Sequence, residues 1–113
     1  MSRSIRLVPE VLKSIAFGSI GAAYMGIGTS FSSPIRVLKI QNLTDELLFF
    51  SFDGINDHDI LPSNGYTIYD ISANKTIEQG FYIGEGTRVY VKISGGAPSV
   101  GSVYITAFYG SKD

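Results

Sequence analysis

The residues most able to do chemistry lie in one stretch, SFDGINDHDILPSNG, residues 51 to 65. It gathers Asp53, Asp57 and Asp59 around His58, the only histidine of the chain. Such a set suggests a metal site or an acid/base site. An EF-hand calcium loop needs oxygen ligands at alternate positions, glycine at the sixth and glutamate at the twelfth. Counted from Asp53, position three is Ile55 and position twelve is Asn64, so the pattern fails. Zinc needs two or three His or Cys ligands, and cysteine is absent. In an extended chain His58 also faces away from Asp57 and Asp59. The stretch therefore reads as a polar hairpin loop, with a structural calcium site as the alternative.

Other catalytic arrangements are weaker still. No G-x-S-x-G is present to hold a nucleophilic serine. Glu46, Asp70, Glu78 and Glu85 sit in or beside turns, where solvated carboxylates are ordinary. Gly84-Glu85-Gly86 is followed by the strand-like TRVYVKI rather than by a helix, so it is no phosphate loop. The expectation is a chain that is not an enzyme, with no cofactor and no metal.

The elements around the loop are read from hydrophobic period. The 113 residues suit one domain. From Pro34 onward the period is two. Strands are predicted over 35–43, 46–53, 58–62, 66–72, 81–83, 85–94 and 102–110. The 46–53 strand is apolar on both faces, which predicts a central strand covered on both sides. Asn42, Thr44 and Asp45 can bond local backbone in a turn, and Asn64-Gly65 supplies a positive φ. Val89, Val91 and Ile93 should point inward, as should Val103, Ile105 and Ala107. The fold class is all-β, an antiparallel β-sandwich or jelly-roll-like domain of about seven to eight strands. Residues 34–113 form that domain. Residues 1–33, rich in Gly and Ser after a basic start, are expected to be an extended N-terminal arm.

Composition bounds the partners. Net charge is −1 and no basic block exists, so direct nucleic-acid binding is not expected. Charged residues make up 17%, against about 25% in typical domains. With seven Tyr and seven Phe, apolar surface must remain. Tyr90, Tyr104 and Phe108 stand at outward positions, where cross-strand aromatic pairing competes with a subunit or ligand surface. Phe17, Tyr24, Met25, Phe31, Tyr90, Tyr104 and Phe108 are the candidates for subunit contact. The Gly-rich run 14–28 is too dilute for a signal peptide, and the uncharged stretch 14–35 is too rich in Gly and Ser for a membrane span.

Several turn and strand signatures together resemble the small β-sandwich structural proteins of tailed bacteriophage virions. They are the strand ending in QNLTD, the strand ending in SFDG, the N-D-H-x-x-L-P turn, DISANK at 70–75, and the closing GSVYITAFYG. The resemblance spans about residues 14 to 110. It implies a head–tail connector, tail or capsid-associated protein, located in the virion and assembled in the host cytoplasm. Its implied partners are further copies of itself and other virion proteins; it transfers no catalytic residue. A carbohydrate-binding module of a fibre or adhesion device is the alternative, since Tyr and Phe stack on sugars. A secreted domain cleaved between residues 23 and 30 is a third reading.

Overall fold

The computed structural model describes residues 5–71 and 83–112. Among the described residues the chain forms an antiparallel β-sandwich of nine strands. They are β1 (Ile5–Pro9), β2 (Lys13–Ala16), β3 (Met25–Gly26), β4 (Ile35–Asn42), β5 (Leu48–Ser51), β6 (Asp59–Leu61), β7 (Tyr66–Asp70), β8 (Tyr90–Ile93) and β9 (Ser102–Lys112). One sheet has the order β1-β9-β4-β7, with β2 also on β9; we call it the first sheet. The second sheet runs β3-β8-β5-β6. A single 3-10 turn, Phe17–Ser19, is the only helical piece among the described residues. No helix among them is long and apolar enough to cross a membrane.

Alternation builds the core. Leu38, Ile40, Val103, Ile105 and Ala107 of the first sheet face Leu48, Phe50, Val89 and Val91 of the second, and all are buried. Their chain neighbours point outward, because side chains alternate across a strand. The inward sets expected around β8 and β9 are thus borne out, with Ile93 packed against the core only in part. β5 does lie inside its sheet, between β8 and β6. It is covered on one face only: Phe50 is buried and Phe49 is half-buried.

The segment expected as an arm behaves differently. Residues 1–4 of it lie outside the described residues. From Ile5 onward it belongs to the sandwich. β1 and β2 both lie along β9, opposite β4, while β3 edges the second sheet. Ile15, Ile20, Ile27 and Phe31 are buried in the common core. Burying those four apolar side chains is worth several kcal/mol, at about 1.5–3 kcal/mol each, and ties the segment to its own chain. The nine strands exceed the seven or eight expected because three come from this segment. Of the strand expected at 81–83, Phe81 and Tyr82 lie outside the described residues, and Ile83 makes one antiparallel bridge with Ile35.

β1 and β2 are one edge strand interrupted by a bulge. Pro9 faces Phe108 and Lys13 faces Ile105, so four steps on the edge match three on β9. The Glu10 amide still donates to the Ala107 carbonyl at 2.8 Å, and Val11 is turned out to solvent. A second bulge lies in β4, where Ile35 faces Tyr109 and Val37 already faces Phe108. Bulges of this kind bend and twist a sheet locally.

Two turns are locked by one buried side chain. Asn42, fully buried at the end of β4, donates from Nδ2 to the carbonyls of Glu46, Leu61 and Pro62 at 2.9–3.1 Å. Its Oδ1 accepts from the Thr44 amide at 3.0 Å and the Thr44 hydroxyl at 2.7 Å. The turn after β4 is thereby fastened to the turn before β7. Asn64 in that second turn has φ of 63°, as the Asn-Gly pair predicts.

Candidate functional site

The stretch 51–65 is a strand end, a loop and an edge strand. β5 pairs with β6 so that Phe50 faces Asp59, and the loop between them holds the acidic residues. Each carboxylate is used separately. Asp53 accepts from the amides of Asn56 and Ile55, from the Asn56 side-chain amide and from the Ser51 hydroxyl, at 2.8–2.9 Å. These donors, the Asn56 amide foremost, hold its carboxyl far below the ordinary range. Asp57 accepts from the Tyr24 hydroxyl and lies 3.2 Å from Lys92 Nζ. Asp59 accepts from the Tyr69 hydroxyl of the other sheet. His58 Nδ1 accepts from the Phe52 amide at 2.9 Å, and its Nε2 stands 3.9 Å from Asp53. The three carboxylates diverge, and among the described residues no group of three ligating side chains could hold a metal.

The outer face of the second sheet is aromatic but internally paired. Lys92 Nζ sits 4.7 Å from the Tyr24 ring centre and 5.7 Å from that of Phe49. With Asp57 these residues close a cation–aromatic–carboxylate cluster. Burial, followed by the bond to Asp57, pushes the Tyr24 phenol up, while the Tyr24 hydroxyl first and Lys92 second pull Asp57 down. Arg88 crosses Gly26, donates to the Gly28 carbonyl at 2.7 Å and lies 5.6 Å from the Tyr90 ring centre. A side chain at position 26 would occupy the guanidinium's place. Beside this cluster Phe49, Asp57, His58, Asp59 and Ile60 line an open hollow of about 280 Å³.

The outer face of the first sheet is organised in rows across the strands. Pro9, Phe108, Val37 and Asp70 form one row. Thr106, Lys39 and Ile68 form the next, and Ser14, Tyr104, Gln41 and Tyr66 the third. Tyr66 is 61% exposed, Ile68 52% and Leu7, farther along β1, 43%. Lys39 is the sole cation in these rows, with its Nζ 5.9 Å from the Tyr66 ring centre. Asp70, at the corner, is the sole carboxylate. Phe108, Val37, Ile68, Tyr104 and Tyr66 thus surround Lys39 on this face.

The candidate contact residues fall on different surfaces. Tyr104 and Phe108 lie on the outer face of the first sheet. Tyr90 and Tyr24 lie on the outer face of the second, each already engaged with a cation. Met25 is exposed on the edge strand β3, and Phe17 is exposed in the 3-10 turn. Phe31 is the correction: at 2% exposure it fills the core and offers nothing to a neighbour. Val37, Tyr66 and Ile68 were missed. They complete the apolar rows only once the register of β4 with β9 and β7 is known.

No family model matches the chain, and neither does any curated protein or any solved structure compared with it.

Proposed function

We propose that the protein is a non-enzymatic structural subunit of a tailed-phage particle, built into the head–tail junction or tail as a homo-oligomer. The motif resemblance supports the virion assignment. One structural observation supports self-association: the outer face of the first sheet presents Phe108, Val37, Ile68, Tyr104 and Tyr66 around a single lysine. A monomer normally dilutes such a face with charge. The near-neutral net charge sets little repulsion between copies. Mass spectrometry of purified particles should find the chain in multiple copies, and the isolated protein should run as an oligomer in native mass measurement. A strictly monomeric chain that is absent from particles would overturn this reading.

A second reading, saccharide binding, draws on the hollow beside Phe49. An aromatic ring flanked by Asp57, His58 and Asp59 offers a stacking surface and hydrogen-bonding groups. A glycan array with and without calcium decides it; no signal in either condition removes it.

A further inference from the structure

We infer that two copies of the chain meet through the outer faces of their first sheets, about a two-fold axis running along the seam between β9 and β4. The inference rests on the self-association proposed above and names its surface and its geometry.

Size is the first argument. β9 has 11 residues, which at about 3.3 Å each span about 36 Å. Four strand positions at about 4.8 Å add about 19 Å across. The other positions are shorter, with 8 residues in β4, 5 in β7, and 5 and 4 in β1 and β2, so the face is about 500 Å² in projection, before side-chain relief is added. A standard stable interface takes about 800 Å² from each partner. The second sheet has a shorter face, and its cations are occupied with its own aromatics and carboxylates.

Register is the second argument. A two-fold axis parallel to the strands keeps each row at its own level and exchanges β9 with β4. Phe108 of each copy then faces Val37 of the other, Thr106 faces Lys39, and Tyr104 faces Gln41. Apolar groups meet apolar groups in one row. In the other two, polar side chains meet a hydroxyl-bearing partner. A two-fold axis laid across the strands at the Lys39 row would instead bring two lysines together inside an apolar contact, which like-charge repulsion disfavours. Stacked sheets cross at about −30°, so contact is densest in these middle rows and opens at the corners.

The test begins with the mass of the wild-type chain by native mass spectrometry and light scattering. A dimer, or an even multiple of it, is expected. Phe108→Glu and Ile68→Glu should each raise the dissociation constant at least 30-fold. Ile60→Glu, on the other sheet, should leave it unchanged. Ile68 is already half exposed, so its variant keeps the test valid if Phe108→Glu fails to fold. The chain has no cysteine, which allows a clean cross-linking arm. Val37→Cys protein mixed with Phe108→Cys protein should give a disulfide-linked pair on oxidation, while neither protein alone does.

A monomeric wild type would overturn the self-association reading itself. An oligomer that tolerates both sheet substitutions would overturn only the surface assigned here. An oligomer that both substitutions disrupt, but that yields no cross-link, would overturn the two-fold arrangement. An oligomer dissociated by Ile60→Glu alone would move the contact to the second sheet.

Discussion

The Tyr69 hydroxyl, on β7, donates to Asp59 Oδ2, on β6, across 2.5 Å. This bond crosses from one sheet to the other at the rim, between β6 at the end of the second sheet and β7 at the end of the first. The Phe52 ring meets Tyr69 edge-on there, with centres 5.7 Å apart. Burial, together with the bond to Asp59, pushes the Tyr69 phenol up to about 12. A raised folded value stabilises the protein below the unfolded value of about 10, and that contribution disappears as pH rises through about 12. Denaturant melts between pH 9 and pH 12 should therefore show an alkaline loss that Tyr69→Phe diminishes. At pH 7 the same variant should be less stable by about 1 kcal/mol. An unchanged alkaline limb in Tyr69→Phe would argue against this tie.

Acid should act through the loop instead. Asp53, held by the Asn56 and Ile55 amides, and Asp57, held by Tyr24, both ionise below the ordinary range. Asp45 does so as well, chiefly through the Ser99 hydroxyl at 2.5 Å and the Ser99 amide at 2.8 Å. Groups with lowered folded values stabilise above about pH 4, and the contribution drains away as pH falls through the folded values. Stability should be level from pH 7 to about 5 and decline below about 4. Asp53→Asn should flatten that decline, which a urea titration at several pH values measures.

Asn42 serves five partners from a buried position. Replacing it with Ala leaves the Thr44 amide and several turn carbonyls without their partner. We expect a loss of about 3 kcal/mol, read by chemical denaturation. Asn42→Asp should be no better, because a carboxylate would face the carbonyls of Glu46, Leu61 and Pro62. A loss under about 1 kcal/mol in Asn42→Ala would mean that water replaces the side chain.

Gly101 and Gly86 separate two effects of adding a methyl group. Both have positive φ, 93° and 89°. A Cβ at Gly101 would lie 2.0 Å from the Leu43 carbonyl oxygen, whereas none would be near Gly86 within 4 Å. Gly86→Ala should cost about 1 kcal/mol from backbone strain alone. Gly101→Ala should cost clearly more, since backbone rather than a flexible side chain must move. Thermal melts of the two variants give the comparison directly.

The strands with regular alternation, β4, β8 and β9, were legible because local period and burial agree. The hairpin around His58 was legible from its turn residues. Residues 5–33 were not. Ile15, Ile20, Ile27 and Phe31 are five, seven and four positions apart, a spacing that fits neither period two nor the helical period. Their burial depends on pairing with β9 and β8, some 60 to 100 positions away in the chain. Tyr24 and Asp57 meet for the same non-local reason, so their cluster left no mark in either segment alone. Phe31 looked like a surface aromatic because its neighbours are Ser and Gly, yet its contacts come from elsewhere in the chain.

The place of β9 between β1/β2 and β4 bears on how the chain acquires its shape during synthesis. Its outer partners are made before it. Until β9 leaves the ribosome, the first sheet is split, with β1 and β2 lacking a neighbour and β4 holding only β7. Such distant pairing is slow to form compared with local contacts, and it leaves strand edges open in the meantime. A nascent chain arrested before Ser102 should therefore be protease-sensitive throughout residues 5–16, and become resistant only once β9 has emerged and paired.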